Sequence, residues 1–241
     1  MTDKIEQLFK FISENRKYNK ALQERYYRSI ILPYKDEKEK IISLLYHIAN
    51  TQSQPKIDKL AEFYKSIITE ESSLTSFKEF ISKINPNAES NFESIYKGMV
   101  KQKGWGDKTS ALLSKSIFHL HNGQYSEDLK IWNDVPKIIE KNDHFYLPVD
   151  AVIIAIFKKL DSQRNWTFAN INSLLKKEYS GQEIEIWDDL WFWGFITQNG
   201  GENRKFEWNE NKYWVLKESD KEKIKIEEIK NKCSEFLEIF K

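Results

Sequence analysis

The sequence predicts a mainly α-helical protein, and three observations carry that prediction. Apolar residues return every third or fourth position along most of the chain, the spacing of one helix face. Pro33, Pro55 and Pro86 stand where such segments would start or stop. Only one stretch, RKFEWNENKYWVL at 204–216, has two aromatic-rich halves around a polar centre, the mark of a small β-hairpin.

Taken in order, Ile5, Leu8, Phe9 and Ile12 form the stripe of a half-buried first helix. Similar stripes predict helices over 38–50 (Ile41, Leu44, Leu45, Ile48), 56–69 (Ile57, Leu60, Phe63, Tyr64, Ile67) and 76–84. The next helix runs from about Ser90 to Lys101 and ends at Gly104, and another extends from Asp107 to about His121. The connection from Asn122 to Leu147 is long and polar, with one helix expected around Val135–Lys141. LPVDAVIIAIFKKL leaves little room for a wet face and reads as a helix buried nearly all round. Further helices are expected over 167–179, 185–197 and 220–240, with the hairpin turning near Asn209–Asn211. No internal repeat or low-complexity tract interrupts the pattern.

At 241 residues, with 40% hydrophobic and 31% charged, the chain can bury a core as one domain over 1–241, built of two closely joined lobes. Cys233 is the only cysteine, which excludes a disulfide framework and any zinc or iron–sulfur site built on this chain's thiolates. His119 and His121, two apart on one helix, diverge, so no metal held by side chains is expected. The N-terminus is a charged amphipathic helix rather than a signal peptide, and no apolar run reaches membrane-span length. A cytoplasmic protein without membrane association is therefore expected. The net charge of +1 offers no support for a nucleic-acid partner. Locally the balance differs: between 97 and 115 there are five lysines (97, 101, 103, 108, 115) and one acid, Asp107.

That basic stretch contains KGWGDKT, two glycines around a tryptophan, directly before a lysine. A helix that stops, turns and restarts reaches positive φ at least cost with glycine. Gly104 and Gly106 would also let a phosphate approach the backbone, where the amides opening the next helix point at it. Trp105 would plug the turn into both helices. An ordinary αα-turn with a glycine cap accounts for these residues equally well. On the following helix, Thr109, Leu113, Ile117 and Leu120 share one side, while Lys108, near Lys115 and His119, should look outward. Downstream, Pro148 makes Leu147 extended, and Asp150 falls at the N-cap of the apolar helix, where amide donors and the helix dipole hold a carboxylate ionised.

A glycine hairpin with lysine two positions after its second glycine, followed by Pro-Val-Asp opening a buried helix, resembles the helix–hairpin–helix (HhH-GPD) DNA glycosylase superfamily. Its 8-oxoguanine DNA glycosylase/AP lyase branch is the best match. The resemblance covers mainly 96–121 and 146–158, with the hairpin motif at about 91–121. It implies a two-lobed helical fold with a DNA-binding cleft between the lobes. It assigns Lys108 as the catalytic lysine and Asp150 as the essential aspartate. Gly104 and Gly106, with Lys103 and Thr109, become contacts to the DNA backbone. The resemblance further implies a monomer acting on double-stranded DNA with a damaged or modified base, 8-oxoguanine foremost. No cofactor is required, though a monovalent cation often lies under the hairpin, held by backbone carbonyls. The base would be flipped out and removed through a Schiff base on Lys108, followed by strand nicking.

For the base pocket, DDLWFWGFITQNGG is the best candidate, with Trp191, Trp193, Phe195 and Gln198. At least two of these three rings are expected to be core instead. Arg25, Tyr26 and Tyr27 are weaker candidates. The chain departs from the family pattern in its 42-position separation of Lys108 from Asp150, in Val152 where many relatives carry His or Arg, and in its near-zero charge. Alternatives are a defence glycosylase acting on modified phage bases, a non-catalytic hairpin module that only grips DNA, and a helical interaction protein with no nucleic-acid role.

Overall fold

The computed structural model of the chain describes residues 2–200, 204–214 and 223–241 and is mainly helical. In chain order the α-helices are α1 (Thr2–Glu14), α2 (Arg16–Ile31), α3 (Glu37–Ala49), α4 (Ile57–Ile68), α5 (Phe77–Ile84), α6 (Phe92–Val100) and α7 (Asp107–Asn122). They continue as α8 (Ala151–Leu160), α9 (Phe168–Leu175), α10 (Gly181–Trp187), α11 (Asp189–Ile196), α12 (Glu210–Trp214) and α13 (Lys223–Glu238). Strands β1 (Gln198–Asn199) and β2 (Lys205–Phe206) pair antiparallel, Gln198 opposite Phe206. The chain divides into two compact units, the first from Met1–Ala21, Val149–Leu174 and Ile186–Lys241, the second from Leu22–Pro148 and Leu175–Glu185.

In the second unit, side chains supply the donor and acceptor partners that helix ends lack. Asp36 caps α3 by accepting from the amides of Lys38 (2.8 Å) and Glu39 (3.4 Å). The predicted helix at 135–141 does not form. The 123–148 segment instead runs irregularly past several helix starts, and Pro136 removes an amide from its middle. Its acids add to the local caps Ser76 and Asn91: Asp134 takes the amides of Phe77 (2.9 Å) and Lys78 (3.0 Å) at the start of α5. Asp143 takes those of Phe92 (2.9 Å) and Glu93 (2.7 Å) at the start of α6. Trp132 is buried against Phe77 and Phe80 and donates its indole N–H to the Leu74 carbonyl at 2.8 Å. His121 anchors the near end of the segment: one ring nitrogen meets the Ile117 carbonyl at 2.7 Å, the other the amides of Ile131 and Trp132, each at 3.1 Å. The long connection is therefore a packed strap.

The sequence missed α2, whose apolar residues are sparse until Tyr27, Ile30 and Ile31, all buried. It also misjudged one face of α7. Lys115 and His119 are buried rather than outward, and His119 lies 2.5 Å from the Glu185 carboxylate. That helix is enclosed along most of its length.

The first unit buries Ile5, Leu8, Phe11 and Ile12 of α1, Leu190, Phe192, Trp193 and Ile196 of α11, and Ile229, Cys233 and Phe236 of α13. The helix expected to be buried all round, α8, is not: Val152, Ile153, Ile156 and Phe157 face inward while Ala151, Lys158 and Lys159 are exposed. The helix expected over 185–197 is broken at Asp188 into α10 and α11. Next to the break, Asp189 is buried and satisfied by Arg16 at 2.9 Å and Asn19 at 2.5 Å. The hairpin expected at 204–216 is displaced. Its strands are β1 and β2, residues 210–214 are helical, and positions 215 and 216 lie outside the described residues. Positions 220–222 of the expected last helix also lie outside them.

Candidate active site

The sequence nominated residues on both units, and each group is built locally. In the second unit, α6 stops at Val100 and α7 restarts at Asp107. Gly104 has φ +83°, and a Cβ there would sit 2.8 Å from the Leu60 side chain, so conformation and space both demand glycine. Gly106 differs: its backbone is extended and nothing lies within 4 Å of where a Cβ would be. Trp105 is buried, edge-on to Phe63 with centroids 5.4 Å apart, the plug the sequence suggested.

Thr109, expected to contact DNA, is instead part of the turn. Its buried hydroxyl accepts from the Gly106 amide and donates to the Gly106 carbonyl, each at 3.1 Å. Lys103 forms an exposed ion pair with Glu62, worth little in water and open to exchange. Lys108, second in α7, is partly exposed and donates to the Thr51 carbonyl at 3.1 Å and to its hydroxyl at 3.4 Å. Thr51, just past the end of α3, is a neighbour the sequence did not reveal, because nothing local links 51 to 108. Asp107 accepts from the Tyr96 hydroxyl at 2.8 Å, and burial pushes that phenol well up from its usual range.

A second amine in this unit also went unnoticed. Lys176 lies 3.4 Å from the ring centroid of Tyr146, which stacks on Tyr96 at 4.0 Å. Burial lowers its pKa from the ordinary 10.5 to about 8.

In the first unit, Asp150 is the N-cap of α8, as expected. Its Oδ1 accepts from the amides of Val152 (2.8 Å) and Ile153 (3.1 Å). Its Oδ2 accepts the indole N–H of Trp191 at 2.9 Å. Trp191 is 39% exposed and stacks on Phe195, with centroids 4.8 Å apart and planes 15° from parallel. The Lys212 ammonium lies 4.8 Å from the Phe195 centroid. Burial lowers the Lys212 pKa, Arg204 lowers it further, and Asp150 opposes the shift.

Two nominated pocket residues do not belong to this surface. Trp193 is fully buried among Phe11, Tyr18 and Phe192. Helical periodicity puts it on the opposite side of α11 from Trp191 and Phe195. Gln198 is fully buried with its amide engaged: Nε2 donates to the Val152 carbonyl at 3.1 Å and Oε1 accepts from Arg204 at 3.2 Å. It is a strut between α8 and β1, with no edge left for reading a base. Lys212 and Arg204 could not have been found from sequence, because the segment holding them read as strand.

Among the described residues, no group of His, Cys, Asp and Glu could hold a metal ion, and no helix is long and apolar enough to cross a membrane. No family model, curated protein or solved structure matches the chain.

Proposed function

We propose that this protein is a DNA base-excision glycosylase with AP lyase activity. It acts on duplex DNA carrying a damaged or modified base, 8-oxoguanine foremost. The observation that carries the reading is the setting of Lys108. It is the second residue of a helix that follows a glycine turn, partly exposed, with a carbonyl and a hydroxyl as partners. Its partners among the described residues are the carbonyl and hydroxyl of Thr51, so moving its amine toward a sugar breaks no ion pair there. Gly106 adds support. The fold itself does not need a glycine there, and the open space suits a DNA backbone approaching the first-turn amides of α7.

In the proposed reaction the neutral amine of Lys108 attacks C1′ of a flipped nucleotide. The C1′–N bond breaks, and the base leaves with the electron pair and gains a proton. The C1′–O4′ bond then breaks, O4′ takes up the proton that the amine gives up, and a Schiff base is left on Lys108; loss of a C2′ proton to water then expels the 3′-phosphate from C3′ by β-elimination. Asp150, whose carboxylate accepts from two helix amides and an indole, stabilises the positive charge that builds on the sugar. Trp191 and Phe195 supply a stacking surface for the base. A monovalent cation at the hairpin would be held by the Gln102 and Gly104 carbonyls and would add positive charge toward a phosphate. Each already accepts one hydrogen bond, from Trp105 and Gln52, and retains a second lone pair.

Borohydride trapping tests the reading. Duplexes bearing one abasic site or one 8-oxoguanine should yield a covalent adduct that Lys108→Gln abolishes and Lys176→Gln preserves. Absence of any adduct with the unaltered protein, or an adduct undiminished in Lys108→Gln, refutes it. Salt-sensitive binding without an adduct would instead mark a non-catalytic hairpin module.

A further inference from the structure

Three donors converge on Asp150, and they differ in origin. The two amides on Oδ1 belong to the first turn of α8 and would satisfy any aspartate at an N-cap. The third, the Trp191 indole on Oδ2, comes from α11, 41 positions away. The indole is oriented independently of this bond, since Phe195 stacks beneath it and Lys212 lies over the Phe195 ring. The carboxylate therefore meets a donor whose direction is set beforehand.

We propose that Trp191 is a positioning residue for Asp150, holding Oδ2 so that the carboxylate presents one fixed face to the sugar. This rests on the glycosylase reading and deepens it. The chemistry of the donor supports the assignment. An indole N–H is neutral, so it fixes an anion without cancelling the charge that would stabilise a cationic sugar. A lysine or arginine in its place would pair with that charge. The nearby cation, Lys212, lies against the Phe195 ring and attracts Asp150 from there, and among the described residues the indole is the one donor to Oδ2.

A purely structural role explains the bond less well. Helix α8 is already joined to the α11–β1 segment without it, through Gln198 on the Val152 carbonyl and through Val152 and Ile156 closing on Gly194. At 39% exposure, the indole could also satisfy its N–H with water.

Two measurements test the proposal. In ¹⁵N-labelled protein the Trp191 indole cross-peak, assigned by its loss in Trp191→Phe, should move in Asp150→Asn. In single-turnover base release from a duplex with one 8-oxoguanine opposite cytosine, Trp191→Phe keeps a smaller stacking ring and loses the donor. It should slow the rate roughly 10- to 100-fold, the range for a lost hydrogen bond to a charged group, and should add little further loss when Asp150→Asn is already in place. A cross-peak indifferent to Asp150→Asn overturns the proposal, as does a shifted cross-peak with base release at the normal rate. If the unaltered protein releases no base and forms no adduct, the glycosylase reading itself falls and the positioning role falls with it.

Discussion

His121 gives the strongest quantitative expectation. Its Nε2 accepts from two backbone amides at 3.1 Å each, and its Nδ1 meets the Ile117 carbonyl at 2.7 Å. That pattern assigns the neutral imidazole with its proton on Nδ1. Adding a proton to Nε2 would set three donors against one another. Burial, with Lys130 nearby, lowers its pKa from 6.5 to about 4. The unfolded chain therefore binds more protons between those values, and stability falls as pH drops from about 6.5 toward 4. Converted at about 1.4 kcal/mol per pH unit, the loss is about 3 kcal/mol by pH 4. Urea unfolding at pH 7.5, 6.5, 5.5 and 4.5, on the native protein and on His121→Leu, isolates this contribution. The comparison is needed because Asp143 acts oppositely. Its pKa is raised by burial, so its contribution favours the fold as pH falls. The variant should be less stable at pH 7.5 and should lose the extra acid sensitivity. A His121 ring proton titrating near 6.5 in the folded protein would refute the reasoning.

The other expectations concern the turn, the core and the amines. Gly104→Ala should destabilise by about 2 kcal/mol or more in urea unfolding, from left-handed strain and the clash with Leu60. Gly106→Ala, at the N-cap of α7 but clear of any clash, should cost no more than about 1 kcal/mol while weakening duplex binding in fluorescence anisotropy. Trp193→Ala should cost about 3–5 kcal/mol of stability as a buried ring, whereas half-exposed Trp191→Ala should cost far less. Asp134→Ala should lower stability by about 1 kcal/mol through the lost cap on α5. With its pKa near 8, Lys176 should be among the first amines labelled by limiting acylating reagent at pH 7.5, as read by peptide mass spectrometry.

Helical periodicity, glycine and proline exposed the skeleton of the second unit, α3 to α7, together with the hairpin turn and the cap at Asp150. These are local properties: an apolar stripe, a left-handed glycine and an N-cap aspartate each act within a turn or two of their own position. Where partners came from afar, the expectations failed. The helix expected around Val135–Lys141 does not form; Asp134 and Asp143 instead spend their carboxylates on the starts of α5 and α6, and the segment runs as a strap. Gln198 looked like a reader of base edges until Val152 and Arg204 took both ends of its amide.

The sequence by itself determined the helical class, a glycine turn at 104–106, and the placing of an amine and a carboxylate at helix starts. Spacing and backbone sterics carry that information within a few residues. Only the tertiary structure decided that Lys108 rests on Thr51, that Trp191 rather than Trp193 meets Asp150, and that Lys115 and His119 turn inward. Those outcomes depend on which distant surfaces are pressed together, and a hydrogen bond or a stacked ring across 41 or 57 positions leaves no local trace.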